Sequence, residues 1–208
     1  MKRLQLLNLG DSYTCGEGVP IPHNFPNQLV QILRRTSLFK DQGITFAPPE
    51  IIAITGYTTD ELIELIDSTQ LLPTYDFVTL LIGVNNQYRE RSIESFEPEF
   101  ETLLLKAIAL VNNDTDKVLV MSIPDWSVTP FAHDINKDKV TTAIDAYNRS
   151  CQKIALKHHV AYQDNTTEQR TDGHKPEYLA LDRLHPSELE YKRWAEKAAP
   201  MVINALKS

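Results

Sequence analysis

A serine near the start of this sequence and an aspartate–histidine pair near its end have the types and spacing that nucleophilic catalysis requires. Ser12 lies in the stretch "LGDSYTCGEG", directly after an apolar run. Asp182 and His185 lie in "LDRLHPS", so that a single turn would place both side chains on one face. A serine hydroxyl is a weak nucleophile until a base takes its proton and a carboxylate fixes the tautomer of that base. The three residues therefore suit a serine nucleophile, provided that the fold joins the two ends of the chain.

Two further turns follow apolar runs in the middle of the sequence. Gly56 comes after "IIAIT", and the block "GVNN", which contains Asn85, comes after "FVTLLI". Ligands of open α/β sheets bind outside the carboxyl ends of the strands. The residues of these turns are therefore candidate site residues. Gly56 and Gly83, the glycine of the "GVNN" block, also suit ordinary turns that need a positive φ.

The elements that must position these residues are short apolar runs alternating with amphipathic stretches, a pattern that predicts parallel strands joined by helices. The nearly continuous hydrophobicity of the runs indicates burial on both faces of a sheet. The predicted strands are Leu4–Leu9, Ile51–Ile54, Phe77–Ile82, Val118–Ile123 and, more weakly, Val160–Tyr162. The predicted helices are "TTDELIELIDS", Phe100–Val111, Val140–Lys157 and Pro186–Leu206, the last open to interruption at Pro200.

This alternation predicts the fold class. Right-handed crossovers between parallel strands favour an α/β protein, a three-layer α/β/α sandwich with a mostly parallel central sheet of about five strands. Residues 124–138, "PDWSVTPFAHDINKD", combine prolines, polar residues and aromatic residues and are predicted to form a surface loop. No repeat or linker interrupts the pattern, and a chain of 208 residues suits one domain spanning 1–208.

Four blocks, "GDSYTCGEG", "AITGYTT", "GVNN" and "DRLHPS", occur in the order in which they resemble the GDSL/SGNH family of serine hydrolases. They extend along nearly the whole chain. The resemblance implies a flavodoxin-like fold with Ser12 as nucleophile, His185 as base and Asp182 as the acid that orients the base. It also implies an oxyanion hole made of the backbone N–H groups of Ser12 and Gly56 and the side-chain amide of Asn85, with no metal or organic cofactor.

Two positions depart from the family pattern. Tyr13 stands where a leucine often follows the serine, and it either lines the pocket or packs in the core. Asn86 stands where the third block usually has an aspartate, which leaves open whether Asn86 only satisfies its own backbone. The G-x-S-x-G elbow of other esterases is absent, which disfavours the α/β-hydrolase fold.

The composition, with 42% hydrophobic and 24% charged residues, is typical of a globular protein. The net charge of -7 argues against a partner that is a nucleic acid or an anionic membrane. No run approaches the roughly 20 apolar residues that span a bilayer, and the N-terminus lacks a signal cleavage site. We therefore expect a cytoplasmic protein without a stable membrane anchor. Cys15 and Cys151 are expected to be free thiols, and the histidines other than His185 to be solvated and to bind no metal.

The expected function is hydrolysis of small-molecule acyl esters through an acyl-Ser12 intermediate, with lysophospholipids and acyl thioesters within the range of substrates. Activity should fall on acidification, because the base must be neutral to accept a proton. A carbohydrate O-deacetylase is an alternative that the residues do not separate from an esterase of broad type. Tyr88, Trp126 and Phe131 either line an acyl-binding wall or pack in the core.

Two alternatives come from other classes. In a non-catalytic, flavodoxin-like binding module, Ser12 would only cap a helix and the first loop would cradle a phosphate or flavin. The G-x-x-x-x-G-K-[ST] and G-x-G-x-x-G phosphate-binding motifs are absent, which weighs against this reading. A thiol mechanism through Cys15, which lies close to Ser12, is the weaker alternative.

Overall fold

The structure is a computed structural model that describes residues 2–207. Its strands are β1 (Lys2–Leu4), β2 (Leu6–Gly10), β3 (Ile44–Phe46), β4 (Glu50–Ala53), β5 (Phe77–Leu81), β6 (Val118–Met121) and β7 (Ala161–Gln163). Five of them form a parallel sheet in the order β4-β2-β5-β6-β7. The remaining two strands, β1 and β3, form a separate parallel pair.

The helices lie on both sides of this sheet. They are α1 (Ser12–Cys15), α2 (Phe25–Arg35), α3 (Ser37–Asp41), α4 (Thr59–Ser68), α5 (Val84–Tyr88), α6 (Ile93–Ala109), α7 (Lys137–Lys157), α8 (Thr166–Asp172) and α9 (Glu188–Leu206). Helix α2 packs on α9, whereas α6 packs against both α4 and α7. Every residue of β2, β5 and β6 is buried, so both faces of the sheet are covered. This confirms the predicted three-layer α/β sandwich with a five-stranded parallel sheet.

None of the helices between residues 2 and 207 is both long and apolar enough to cross a membrane.

Asn8 is a polar residue in the middle of the buried strand β2. Its Oδ1 accepts a hydrogen bond from Thr79 Oγ1 of β5 at 2.8 Å, and its Nδ2 donates to the Glu50 carbonyl of β4 at 3.2 Å. Burying a polar side chain is costly unless it is hydrogen-bonded, so these contacts allow Asn8 to lie in the core. They also tie together the three strands whose carboxyl ends carry Ser12, Gly56 and Asn85.

The predicted strand Leu4–Leu9 is in fact two strands, β1 and β2, separated at Gln5. The backbone N–H of Gln5 donates to Asp76 Oδ2 at 2.7 Å, and the backbone N–H of Asp76 donates to the Gln5 carbonyl at 2.9 Å. Because Gln5 bonds to this loop, the chain changes partners there, and β1 pairs with β3 instead of with the central sheet. The apolar pattern does not encode that change.

Two helix boundaries also differ from the expectation. Helix α6 begins at Ile93 rather than at Phe100, with Ser92 as its N-cap. Pro98 lies inside α6, in its second turn, where it cannot donate the i→i−4 hydrogen bond to the Glu94 carbonyl. Pro200 does not interrupt α9. No helix or strand was predicted over α2, α3, α8 or β3.

Of the segment 124–138, residues 124–136 form a loop with short 3₁₀ turns and the last two residues begin α7, and only part of the loop lies at the surface. Asp125 and Trp126 are buried, whereas Phe131 is 44% exposed. The Asp125 carboxylate accepts a hydrogen bond from Arg170 Nε at 2.8 Å, which explains how a charged loop residue is buried. The prediction of a surface loop is therefore wrong for the first half of this segment.

Candidate active site

Ser12 is the first residue of α1, at the carboxyl end of β2. Gly10 is needed in this tight turn, because a Cβ there would lie 2.1 Å from Thr14 Oγ1. The residue that caps α1 is Asp11 rather than Ser12, since Asp11 Oδ1 accepts a hydrogen bond from the Tyr13 N–H at 3.0 Å. The Ser12 hydroxyl is thus not used as the helix cap, and its side chain lies in a buried turn.

Asp182 and His185 lie in the loop between a 3₁₀ turn at Pro176–Tyr178 and α9. Asp182 Oδ1 accepts hydrogen bonds from the backbone N–H groups of Leu184 and His185 at 2.9 and 3.0 Å. Arg183, inside this turn, has a left-handed φ of 62°. The turn formed by the Asp182 side chain, rather than a helical turn, brings the aspartate and the histidine together.

The two ends of the chain meet at His185. Its Nε2 lies 2.9 Å from Ser12 Oγ across a sequence separation of 173 residues, and its Nδ1 lies 2.6 Å from Asp182 Oδ2. The imidazole is buried, and its ring centroid lies 5.0 Å from that of Tyr13. These distances are within the range for proton transfer from a hydroxyl to an imidazole whose other nitrogen donates to a carboxylate.

Gly56 and Asn85 line the same cavity as Ser12 and His185, a space of about 240 Å³. Gly56 has a φ of 86°, and its N–H has no hydrogen-bond partner within the described residues. Asn85 Nδ2 donates to the Tyr57 carbonyl at 3.0 Å and makes a longer contact of 3.4 Å with Asp11 Oδ2, and together these hold the amide in one orientation. The structure therefore brings two of the predicted oxyanion donors to the edge of the cavity that holds the serine.

The turn around Gly56 is held from both sides by residues for which the sequence indicated no role. Arg89 Nη2 donates to the Gly56 carbonyl at 2.7 Å, and Arg89 Nη1 contacts Glu61 Oε1 at 3.2 Å. On the other side, Thr55 Oγ1 donates to Glu17 Oε2 at 2.5 Å. No motif marks Arg89 or Glu17, and only the folded arrangement identifies them.

Two carboxyl groups near Ser12 lie in contrasting environments. Burial raises the pKa of Asp11 to about 7, although hydrogen bonds from backbone N–H groups oppose the shift. Partial burial also acts to raise the pKa of Asp182. There, hydrogen bonds from the His185 ring and from the backbone N–H groups of Leu184 and His185 outweigh it and hold the pKa below its usual range. The carboxylate beside the imidazole is therefore the one that stays ionised at neutral pH.

Aromatic residues form much of the cavity wall. Tyr88, Trp126 and Phe131 all line it, with Trp126 in edge contact with both of the others at centroid distances of 5.3 and 6.2 Å. Trp126 is buried, whereas Tyr88 and Phe131 are exposed. Tyr13 lines the cavity and packs on His185, so both roles considered for it are met.

Asn86, the other position that departs from the family pattern, does not line the cavity. Its Oδ1 accepts a hydrogen bond from the Thr59 N–H at 3.1 Å, and its Nδ2 donates to Thr59 Oγ1 at 2.6 Å. The side chain is completely buried. Asn86 therefore fastens α5 to the start of α4 rather than satisfying its own backbone.

The structure also bears on Cys15 and on the remaining histidines. Cys15 Sγ lies 3.6 Å from the Ser12 carbonyl oxygen, and burial raises the pKa of this thiol, which disfavours a thiolate nucleophile. Both cysteines are free, as predicted.

His158 is half-buried beside Glu101, and the other histidines outside the site are exposed: His23, His133, His159 and His174. Within residues 2–207, no group of three or more metal-ligating side chains is close enough to hold an ion.

Known protein families and solved structures include some that are similar to this chain. The sequence profile of the GDSL-like Lipase/Acylhydrolase family matches residues 9–193. A search of curated proteins finds no significant match. The similar solved structures include TesA, with 18% identity, a TM-score of 0.68 and coverage of 97% of this chain and 99% of that one.

Two other solved structures are comparably similar. Axe2, an acetylxylan esterase from Geobacillus stearothermophilus, has 21% identity, a TM-score of 0.70 and coverage of 96% of this chain and 94% of that one. A lipase/acylhydrolase from Enterococcus faecalis has 18% identity, a TM-score of 0.70 and coverage of 98% and 96%. At these identities the likeness shows a shared fold.

Proposed function

We propose, from the premise that this chain belongs to the GDSL-like lipase/acylhydrolase family, that it hydrolyses carboxylic esters through a covalent acyl-Ser12 intermediate. Membership of the family supports an enzyme of the esterase or lipase type that acts on small-molecule esters. The roles of individual residues and the identity of the ester are the proposal.

In the first step, Ser12 Oγ attacks the carbonyl carbon of the ester while His185 Nε2 takes the hydroxyl proton. The carbonyl electron pair moves onto oxygen and forms a tetrahedral intermediate. Collapse of this intermediate breaks the bond between the acyl carbon and the alcohol oxygen. His185 gives its proton to that oxygen, and the alcohol leaves.

In the second step, water attacks the acyl-Ser12 ester. His185 accepts a proton from the water and later returns it to Ser12 Oγ, so that the carboxylic acid is released and the enzyme is restored. Asp182 accepts the Nδ1–H of His185, which selects the tautomer with a free Nε2 and stabilises the imidazolium that forms.

The developing negative charge on the substrate oxygen needs donors that are already in place. The proposed donors are the backbone N–H groups of Ser12 and Gly56 and the Nδ2 amide of Asn85. The unpartnered N–H of Gly56 and the anchoring of Asn85 to the Tyr57 carbonyl support this assignment.

A single observation carries the proposal: the continuous chain of contacts from Ser12 Oγ to His185 at 2.9 Å and from His185 to Asp182 at 2.6 Å. A non-catalytic binding module would not require a serine, a histidine and an aspartate in contact at a cavity. In such a module Ser12 would only cap α1, but the side chain that caps α1 is that of Asp11. The small volume of the cavity, about 240 Å³, supports esters with a short acyl group. Activity on lysophospholipids or thioesters stays a prediction.

Pre-steady-state hydrolysis of p-nitrophenyl acetate tests the proposal. An acyl-enzyme that forms faster than it breaks down gives a burst of p-nitrophenol whose amplitude approaches one equivalent per chain. If deacylation is faster, the acyl-enzyme is a minor species during turnover, and acid quenching with mass analysis is expected to find a substoichiometric amount of acetyl on the peptide that contains Ser12. Ser12→Ala is the control and is expected to give neither signal. Turnover that persists in Ser12→Ala would refute the proposal.

A further inference from the structure

A groove of about 640 Å³ lies beside the catalytic cavity. Tyr88 and Trp126 line both spaces, so the groove and the cavity adjoin at these two side chains. The opposite side of the groove is the start of α7, where Val140 and Ala143 line it. We call this space the α7 groove. Because the groove adjoins the cavity that Ser12 lines, it is a candidate site for one part of an ester that reacts at Ser12.

Gln87 supplies a hydrogen-bond donor to the α7 groove. Its side chain lines the groove, although the residue is only 7% exposed. Gln87 Oε1 accepts a hydrogen bond from Trp126 Nε1 at 2.8 Å, which fixes the orientation of the carboxamide. The Nε2 group is then left as a donor, and it has no partner within the described residues. The Nε2 atom itself stays accessible from the groove, where it can donate to water or to an oxygen acceptor on a ligand.

A second amide, Asn136, lines the groove at an exposed position. Asn136 Oδ1 accepts a hydrogen bond from the Lys139 N–H at 3.0 Å, which leaves Asn136 Nδ2 as a donor without a partner among residues 2–207. The groove thus combines two oriented amide donors with the aromatic side chains of Tyr88 and Trp126.

The charged groups that line the α7 groove are already paired. Lys139 Nζ lies 2.6 Å from Glu90 Oε1, and Arg91 Nη1 lies 2.6 Å from Asp60 Oδ1. Each cation is matched by a carboxylate, so these pairs leave no net charge to attract an ionised ligand, and an uncharged ligand leaves both pairs intact. The groove therefore favours an uncharged group.

We infer that the α7 groove binds the alcohol portion of the ester, and that this portion is an uncharged ring bearing hydroxyl groups, as in a sugar. The inference rests on the proposed hydrolysis at Ser12. A hydrocarbon chain would remove water from the Gln87 amide without replacing its hydrogen bond, which is unfavourable. A hydroxylated ring offers oxygen acceptors to Gln87 and Asn136 and a C–H face to the aromatic rings.

The reaction needs no further reactant under this inference. The bond between the acyl carbon and the ring oxygen breaks, the electron pair stays on that oxygen, and the proton from His185 completes the hydroxyl group. The ring leaves the α7 groove as a free alcohol. Water then releases the acyl group from Ser12 as a carboxylic acid.

A pair of acetate esters with rings of similar size tests the inference. One is a monoacetylated methyl glucopyranoside, and the other is cyclohexyl acetate, which lacks the hydroxyl groups and the ring oxygen. The wild-type protein is expected to prefer the glucopyranoside by at least about tenfold in kcat/KM, the size of effect that one or two hydrogen bonds give. A ratio near one would overturn the inference.

Gln87→Met keeps the length of the side chain but removes both the Nε2 donor and the Oε1 acceptor of the hydrogen bond from Trp126 Nε1. In this variant kcat/KM for the glucopyranoside acetate is expected to fall, because the sugar loses a hydrogen-bond donor. For cyclohexyl acetate kcat/KM is expected to rise, because the cyclohexyl ring no longer removes water from the Gln87 amide. The preference should therefore fall by about tenfold. Equal losses on both esters would mean that Gln87 only supports Trp126, which would overturn the role assigned to it.

A second variant tests the groove without changing Gln87. Ala143→Trp places a large ring inside the groove and is expected to lower kcat/KM for the glucopyranoside acetate at least tenfold. The matched control is Thr142→Trp, which adds the same ring at the neighbouring, exposed position of α7 and is expected to have no such effect. Identical kinetics of the two variants would contradict the inference.

Hydrolysis of p-nitrophenyl acetate distinguishes a failure of the proposed function from a failure of the inference about the α7 groove. If the protein does not hydrolyse it and Ser12 is never acetylated, the proposed function fails. If it hydrolyses p-nitrophenyl acetate but treats the two ring acetates alike, the proposed function stands and the inference about the α7 groove fails.

Discussion

The turn that carries Ser12 and the loop that carries His185 meet at 2.9 Å, yet they are held in different ways. Ser12 follows β2, which pairs with β4 on one side and β5 on the other, and its side chain is buried. His185 ends a stretch, residues 180–185, that has no helix or strand and in which Asp182 and Arg183 are exposed. The proposed nucleophile is therefore set in the core of the sheet, whereas the proposed base is supplied by a surface loop.

This difference indicates how each half of the site responds to change. Residues of the Ser12 turn also fill the core, so replacing them should alter the free energy of unfolding as well as activity. The His185 loop is held by the Asp182 turn and by the start of α9, where Ser187 is the N-cap and Tyr191 is buried. Changes confined to this loop should therefore affect activity more than stability.

Breaking the contact between the two regions has the largest expected effect. Ser12→Ala and His185→Ala are each expected to lower kcat for p-nitrophenyl acetate by about 10⁶, because the two residues act as one unit. Asp182→Asn keeps both and is expected to lower kcat by about 10⁴. Steady-state kinetics on folded variants measures these losses. A smaller loss in His185→Ala than in Asp182→Asn would contradict the assigned roles.

Two neighbouring asparagines separate catalysis from stability on the sheet side of the site. Asn85→Ala is expected to lower kcat by about 10²–10³, the usual cost of losing one oxyanion donor. Asn86→Ala is the matched control. It removes buried hydrogen bonds to Thr59 and should lower the free energy of unfolding by about 1–3 kcal/mol while kcat changes far less. Equal kinetic losses in the two variants would argue against Asn85 as a donor.

The pH dependence of stability distinguishes the carboxyl groups of the two regions. The pKa of Asp11 rises from 3.8 to about 7 on folding, so between these values the folded chain keeps a proton that the unfolded chain has lost. The contribution of Asp11 to the free energy of unfolding is therefore fully present below about pH 4 and is lost as the pH rises to about 7. Asp182 has the opposite sign, because its lowered pKa stabilises the fold above its usual value of 3.8 and that stability is lost as the pH falls.

Urea unfolding between about pH 4 and pH 8 measures this difference. Asp11→Asn keeps an oxygen to cap α1 but cannot ionise, so the decrease in stability over that interval should be smaller than in the wild-type protein. Parallel curves for the two proteins would show that Asp11 does not titrate in this range.

The smallest expected effect concerns Arg183, whose left-handed φ of 62° suits glycine. Arg183→Gly should leave the loop intact and change stability by less than about 1 kcal/mol. Arg183→Val places a β-branched residue in the same conformation and should cost about 1–3 kcal/mol. Thermal unfolding with parallel assays checks both. A more severe loss in the glycine variant would show that the Arg183 side chain, rather than the backbone, supports the loop.

Much of the architecture could be predicted because its signals are local. Apolar runs buried on both faces mark β2, β5 and β6, and helical periodicity marks α4, α7 and α9. The division of the first run at Gln5 depends on Asp76, and the burial of Trp126 depends on Asp125 and Arg170, so tertiary contacts determine these features. Adjacent residues contain no signal of such contacts.

Less of the candidate site than of the fold could be predicted from the sequence. Ser12 and His185 could be paired through the order of the sequence blocks, but nothing local sets the distance between residues so far apart. The catalytic role of each stays a prediction. Arg89 and Gln87 had no recognisable pattern, because each acts through a partner that only folding supplies, the Gly56 carbonyl for one and Trp126 for the other.

Labelling with a fluorophosphonate tests the central claim most directly, because this reagent reacts with a serine whose proton is taken by a neighbouring base. Peptide mass mapping is expected to find the adduct on Ser12 in the wild-type protein and no adduct in Ser12→Ala. Labelling of Ser12 should also slow strongly in His185→Ala. A wild-type protein that stays unlabelled, or one labelled at another serine, would contradict the account.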